Sequence, residues 1–147
     1  MERHFTSPPW SIELAPGWSA GHRVENRDSV HAEYVAVVPA TGDALLRLTT
    51  FVLPADYFNN AERWVEMVAQ SSRSRGRPVC WVRCGDFTGY LTHFVAGAEL
   101  LRGWALRSDS FPLDACYRCD VKVRGRDDFA VDAMLGTLRL HGPAAPT

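Results

Sequence analysis

Lysine is almost missing from this 147-residue chain: Lys122 stands alone, and arginine supplies the rest of its 16 basic residues. Set against 17 acidic residues, they leave a net charge of −1. That is too little for a long-range field steering the chain to nucleic acid or to an anionic membrane. Long apolar runs are missing too. No stretch approaches the roughly 18–20 apolar residues of a membrane span. The opening MERHFTSPPWSIEL has two prolines and a glutamate where a secretory signal needs an apolar core. These absences predict a cytoplasmic protein with no membrane span, whose four cysteines stay thiols in a reducing compartment. There is no GxSxG, phosphate loop, GxGxxG or HExxH. No residue is therefore assigned a catalytic role, and no cofactor is expected.

What is present is ordinary for a globular domain. At this length one core suffices, with no disulfide or metal needed to fold. WSIEL (Trp10–Leu14) alternates and reads as a first strand, which APGW breaks. The polar region from Ser19 to Asp28 has no periodicity and reads as loop. Ser29–Val38 and Ala44–Leu53 read as a hairpin around PATGD. From Pro54 the period changes: Phe58, Ala61, Trp64, Val65 and Val68 share one face of an amphipathic helix, with Pro54 and Asp56 suited to its first turn. Gly76 and Pro78 stop it. Four strand-like runs follow, Val79–Cys84, Phe87–Val95, Leu100–Arg107 and Leu113–Val123, with turns short enough for an antiparallel meander. Val131, Met134, Leu135 and Leu138 then mark a second helix, capped through the carboxylate of Asp127 or Asp128.

The expected fold is α+β: a single domain over 1–141 with a tail at 142–147. An antiparallel sheet of about six or seven strands is flanked by two main helices, in the order β-ββ-α-ββββ-α.

The CxxC at Cys116 and Cys119 invites a metal or redox reading. From Leu113 onward, however, Leu113, Ala115, Tyr117, Cys119, Val121 and Val123 alternate with Asp114, Arg118, Asp120, Lys122 and Arg124. Such parity marks a strand with one buried face, pointing Cys119 inward and Cys116 outward. Thiolates on opposite faces cannot share one zinc at about 2.3 Å. No helix follows to depress a thiol pKa as in a redox CxxC. Cys80 and Cys84 share parity but lie about 13 Å apart along an extended chain. No metal site is expected.

Other candidates are thin. His93 lies mid-strand, and Asp86, His93 and Ser108 or Ser110 have no spacing that supports a triad. Trp64 falls on the helix's apolar face and reads as core. Trp81 has parity opposite Cys80 and Val82, beside Arg83 and just after the one arginine cluster, Arg73, Arg75 and Arg77. These five residues, Arg73, Arg75, Arg77, Trp81 and Arg83, form the candidate partner-binding surface, since tryptophan and arginine are enriched in binding hot spots.

Several stretches resemble the PsbP-like superfamily: Pro16-Gly17-Trp18 after the first strand, Trp104, the Leu113/Ala115/Tyr117/Cys119 strand, and Val131-Asp132-Ala133-Met134-Leu135 in the last helix. That superfamily includes photosystem extrinsic subunits, a Ran-binding import factor and DcrB-like bacterial domains. The resemblance implies a sheet flanked by helices and a protein-binding, non-catalytic role. The expected function is that of a bacterial interaction domain: an adaptor, effector chaperone or immunity-type partner. Its partner would be another protein and not nucleic acid, and a homodimer is possible. The alternative is a small-molecule or metal-binding domain, possibly an enzyme, with a pocket between sheet and helix.

Overall fold

Four strands from the second half of the chain form a continuous meander: β6 (Val79–Cys84), β7 (Phe87–Ala96), β8 (Glu99–Ser108) and β9 (Phe111–Asp120). Each is joined to the next by a two-residue turn, Gly85-Asp86, Gly97-Ala98 and Asp109-Ser110. The first residue of each turn has positive φ, at 62°, 62° and 52°. That backbone handedness matches the right-handed twist of the flanking strands, and glycine adopts it without Cβ strain. Asp109 is the one non-glycine among the three.

The computed structural model describes residues 4–7, 9–27, 30–50 and 60–141, and of residues 27 and 30–32 the backbone only. Upstream of the meander lie β1 (His4–Ser7), β2 (Trp10–Glu13), β3 (Trp18–Arg27), β4 (Val30–Pro39), β5 (Leu45–Thr49) and α1 (Ala61–Ser74). Downstream come a 3-10 turn at Val121–Val123, α2 (Asp128–Leu135) and β10 (Arg139–Leu140). Seven strands make one antiparallel sheet in the order β3-β4-β5-β9-β8-β7-β6, and β1-β2-β10 form a second, small one.

Among the described residues the fold is thus α+β with two helices and an antiparallel sheet of seven strands, but its element order differs from expectation. The segment expected as loop at Ser19–Asp28 is strand β3 over Trp18–Arg27, paired with β4 along its whole length. Trp18 and Ala20 at its start pack against the core, but His22–Asn26 form an exposed sheet edge with no apolar alternation; Val24 is 55% exposed. His4–Ser7 and Arg139–Leu140 were not expected as strands. The long C-terminal strand stops at Asp120. The second helix stops at Leu135, so Leu138, although buried, belongs to the extended segment leading into β10. Asp127 precedes α2 but makes no side-chain cap bond. Its carboxylate instead accepts the buried Tyr117 hydroxyl at 2.7 Å, which also holds that phenol's pKa above its usual value, after burial. Pro54, Asp56 and Phe58, and the tail at 142–147, lie outside the described residues.

The core lies on one face of the large sheet. Val35, Val37, Leu46, Leu48, Leu106, Leu113, Ala115 and Tyr117 pack there against Trp10 and Ile12 of the small sheet and Val131, Met134 and Leu135 of α2. Burial of each such side chain contributes about 1.5–3 kcal/mol. Arg102 on β8 fixes α2 to the sheet: Nη2 lies 2.8 Å from Asp132 Oδ1 and Nη1 3.5 Å from Asp128 Oδ1. The β6–β7 turn docks on the segment after α2. Asp86 N–H donates to the Leu138 carbonyl at 2.9 Å, and Leu140 N–H donates to Asp86 Oδ2 at 3.0 Å. A Cβ at Gly85 would collide with Leu138 backbone, so that turn requires glycine for space as well as for φ.

α1 crosses the other face. Asn60 caps its start, Oδ1 accepting from Arg63 N–H at 3.1 Å. It ends in a Schellman motif: Arg77 N–H donates to the Ser72 carbonyl and Gly76 N–H, at φ +74°, to that of Arg73. Among the described residues, α1 contacts β6, β7, β8 and β9.

Candidate functional site

The stripe of α1 most deeply buried is small: Ala61, Val65, Ala69 and Ser72. The strands beneath are small as well. Gly103 and Ala105 on β8 face the helix, and the register sets Gly103 between Thr92 and Cys116 and Ala105 between Tyr90 and Asp114. Small residues on both sides leave unfilled space. A cavity of about 490 Å³ runs between helix and sheet, walled by Trp64, Met67 and Val68 of α1 and by Tyr90 of β7. That volume lies within the usual range for small-molecule sites, roughly 300–1,000 Å³. Trp64, expected in the core, is a half-buried wall of this space.

Its polar groups sit at two ends. At the β9 end is Asp114, whose carboxyl is pushed up to about 6 by burial, with Arg47 on β5 acting in the opposite sense. Cys116 lies beside it, its thiol raised first by burial and then by the Asp114 charge. At the β7 end, Thr92 Oγ1 is buried with no hydrogen-bond partner, while Arg75 and Arg77 also border the cavity. Arg77 stacks 3.6 Å over the Phe94 ring. Two strand spacings and a two-residue offset separate Thr92 from Asp114, about 12 Å.

The five arginine and tryptophan residues flagged from sequence lie along β6 and the end of α1. Trp81 is 55% exposed and meets Tyr90 edge-on at 5.3 Å. Arg73 sits 5.3 Å over the same Tyr90 ring, and the Tyr90 hydroxyl donates to Glu66 at 3.0 Å. Arg83 Nε donates to the Gly85 carbonyl at 3.2 Å. Arg75 and Arg77 therefore face the cavity, whereas Trp81, Arg73 and Arg83 form an outer rim.

Cys119 is buried in the core and Cys116 lies on the α1 face, as the alternation predicts. The face of Cys116 is partly covered by α1 rather than open to water. Cys84, buried on the core side, has its thiol pushed up to about 11 by burial, with Asp132 adding to the rise and Arg102 opposing it. All four cysteines are free thiols. Among the described residues, no group of three or more His, Cys, Asp or Glu side chains is placed to hold a metal ion. His93 is exposed, opposite Arg102 in the register, on the sheet face away from the cavity. It stands about 23 Å along β7 from Asp86, so the structure does not assemble Asp86, His93 and Ser108 or Ser110. No described helix is long and apolar enough to cross a membrane.

Asp114, Thr92 and Cys116 were not singled out from sequence. The available signal was the small-residue pair Gly103 and Ala105 beneath a helix carrying Trp64, Met67 and Val68.

No family model and no curated protein matches the chain. It is similar in fold to a crystal structure from Bacteroides thetaiotaomicron VPI-5482, with a TM-score of 0.67 at 12% identity. The match covers 99% of this chain and 51% of that one, so the chain spans about half the length of that protein.

Proposed function

We propose that this chain is a binding domain that takes a small, largely apolar molecule between α1 and the sheet. The observation carrying this reading is the cavity of about 490 Å³, walled by Trp64, Met67, Val68 and Tyr90, with Asp114 and Arg77 also on its border. A largely apolar cleft of this size with a few polar groups on its border is the usual form of a small-molecule site. The test uses the fluorescent apolar probe N-phenyl-1-naphthylamine. It should bind saturably, one per chain, and quench tryptophan emission from Trp64. Gly103→Leu should abolish binding while circular dichroism stays unchanged. A Cβ at Gly103 meets only Thr92 Cγ2, at 3.6 Å, so the added side chain grows into the cavity and not into backbone. No saturable binding to the wild type, or equal binding to Gly103→Leu, overturns this reading.

A second reading, protein interaction of the adaptor, chaperone or immunity type, is favoured by the exposed Trp81 ring flanked by Arg73 and Arg83. It is also the role that the PsbP-like resemblance implies. Pull-down with the wild type should recover a stoichiometric partner that Trp81→Ala loses. Recovery of none, or the same recovery with Trp81→Ala, counts against it.

A further inference from the structure

The cavity is bipolar, and this sets what can occupy it. One end presents a carboxyl group, Asp114, with Ala105 and Thr49 beside it in its register row and Arg47 of β5 as its nearby positive charge. The other is bordered by Arg77, half-buried and stacked on Phe94, and by the exposed Arg75. Between them the walls are aromatic and aliphatic. A neutral apolar ligand would engage neither charged end. A simple anion would gain the arginine end but place a negative group towards Asp114, and a simple cation would do the reverse. We infer that the ligand is an elongated zwitterion. Its cationic amine meets Asp114, its anionic group meets Arg77 and Arg75, and about 10–12 Å of apolar chain lies between them.

This inference rests on the cavity reading above and specifies its ligand class. Each charge meets side chains of the opposite sign, and charge-assisted hydrogen bonds are stronger than neutral ones. An ammonium group beside Asp114 favours its carboxylate form, opposing the burial that pushes its carboxyl up to about 6. The arginine end discriminates by geometry, because a planar fork suits a carboxylate better than a point charge does.

The test is competition against N-phenyl-1-naphthylamine with four probes: 8-aminooctanoate, octanoate, octylamine and 4-aminobutanoate. The wild type should bind 8-aminooctanoate at least about tenfold more tightly than either singly charged octyl compound, a margin of one charged contact. The short 4-aminobutanoate cannot span both ends and should compete weakest. In Asp114→Asn the advantage of 8-aminooctanoate over octanoate should vanish. In the Arg75→Gln, Arg77→Gln double variant its advantage over octylamine should vanish. Each variant's own affinity for the fluorescent probe serves as its reference. If the probe does not bind the wild type, the cavity reading fails. If it binds but octanoate or octylamine competes as well as 8-aminooctanoate, the zwitterion inference alone is overturned. It is equally overturned if either variant keeps the wild-type ratios.

Discussion

Leu113 and Asp114 are neighbours on β9. Leu113 is fully buried against α2 and the small sheet, and Asp114 points the other way, beneath α1. On the first face, large aliphatic and aromatic side chains interdigitate to make a dry core. On the second, glycine, alanine and cysteine line the strands and the helix rests on a stripe of small residues, which leaves a cavity with a carboxyl group at one end. One sheet thus has one face filled for stability and one left under-filled. Under-filling costs dispersion contacts that a packed interior would retain. A fold carries such a deficit more readily when its other face supplies the cohesion.

Substitutions at adjacent positions on β9 test this contrast most strongly. Leu113→Ala should destabilise the domain by about 2–5 kcal/mol, measured by urea denaturation, because it empties space in a close-packed core. Asp114→Asn should act in the opposite direction. The folded carboxyl titrates at about 6, above its ordinary 3.8, so the folded state holds its proton more tightly than the unfolded chain. Stability from this group is therefore complete below about pH 4 and declines as pH rises to about 6. Arg47 from β5 and the Cys116 thiol are its electrostatic neighbours. Discounted for partial solvent access, the decline is on the order of 2 kcal/mol. Asp114→Asn should flatten that slope and be the more stable protein at pH 7. A stability difference, wild type minus Asp114→Asn, that instead rises from pH 4 to 6 would refute the burial of Asp114.

Thiol labelling sharpens the comparison further. Exposed Cys80 should react with a maleimide first, at least about tenfold faster than half-buried Cys116, whose thiolate is disfavoured. Cys84 and Cys119, on the filled face, should react only as the domain opens. If Cys119 labels as fast as Cys116, the two faces are equally accessible and the contrast is lost. The smallest effect concerns the β8–β9 turn, which belongs to neither face. Asp109→Gly relieves the one non-glycine positive φ and should raise stability by less than about 1 kcal/mol in a thermal melt.

How much of this is legible in the chain follows from which residues are constrained on one side only. The meander β6–β9 reads directly, because short turns, two of the three led by glycine, punctuate it and β9 alternates cleanly. β3 does not read as a strand, because an edge with solvent on its side chains has no reason to alternate. β10 is too short for any period, and Leu138 fits the helical spacing of α2 only by coincidence, since Gly136 and Thr137 intervene. Asp114 is the instructive case. Its alternation correctly sets it opposite the core, but alternation alone equates that side with water, and α1 covers it. The cavity depends on Thr92, Gly103 and Cys116 falling in one row across three strands, which register creates and linear order conceals. Arg75 and Arg77 were visible as a cluster, but their place at the border of the cavity was not.

The segment Thr137–His141 ties together parts of the chain that lie far apart in order. Thr137 Oγ1 accepts from Glu13 N–H, β10 pairs with β2, and the Leu138 carbonyl holds the hairpin tip at Asp86. During synthesis, the amino-terminal strand pair and the central hairpin must therefore wait for residue 140 before either is clasped. Closure of this domain is a late event joining contacts of very long sequence separation, which predicts slow folding for a protein of its size.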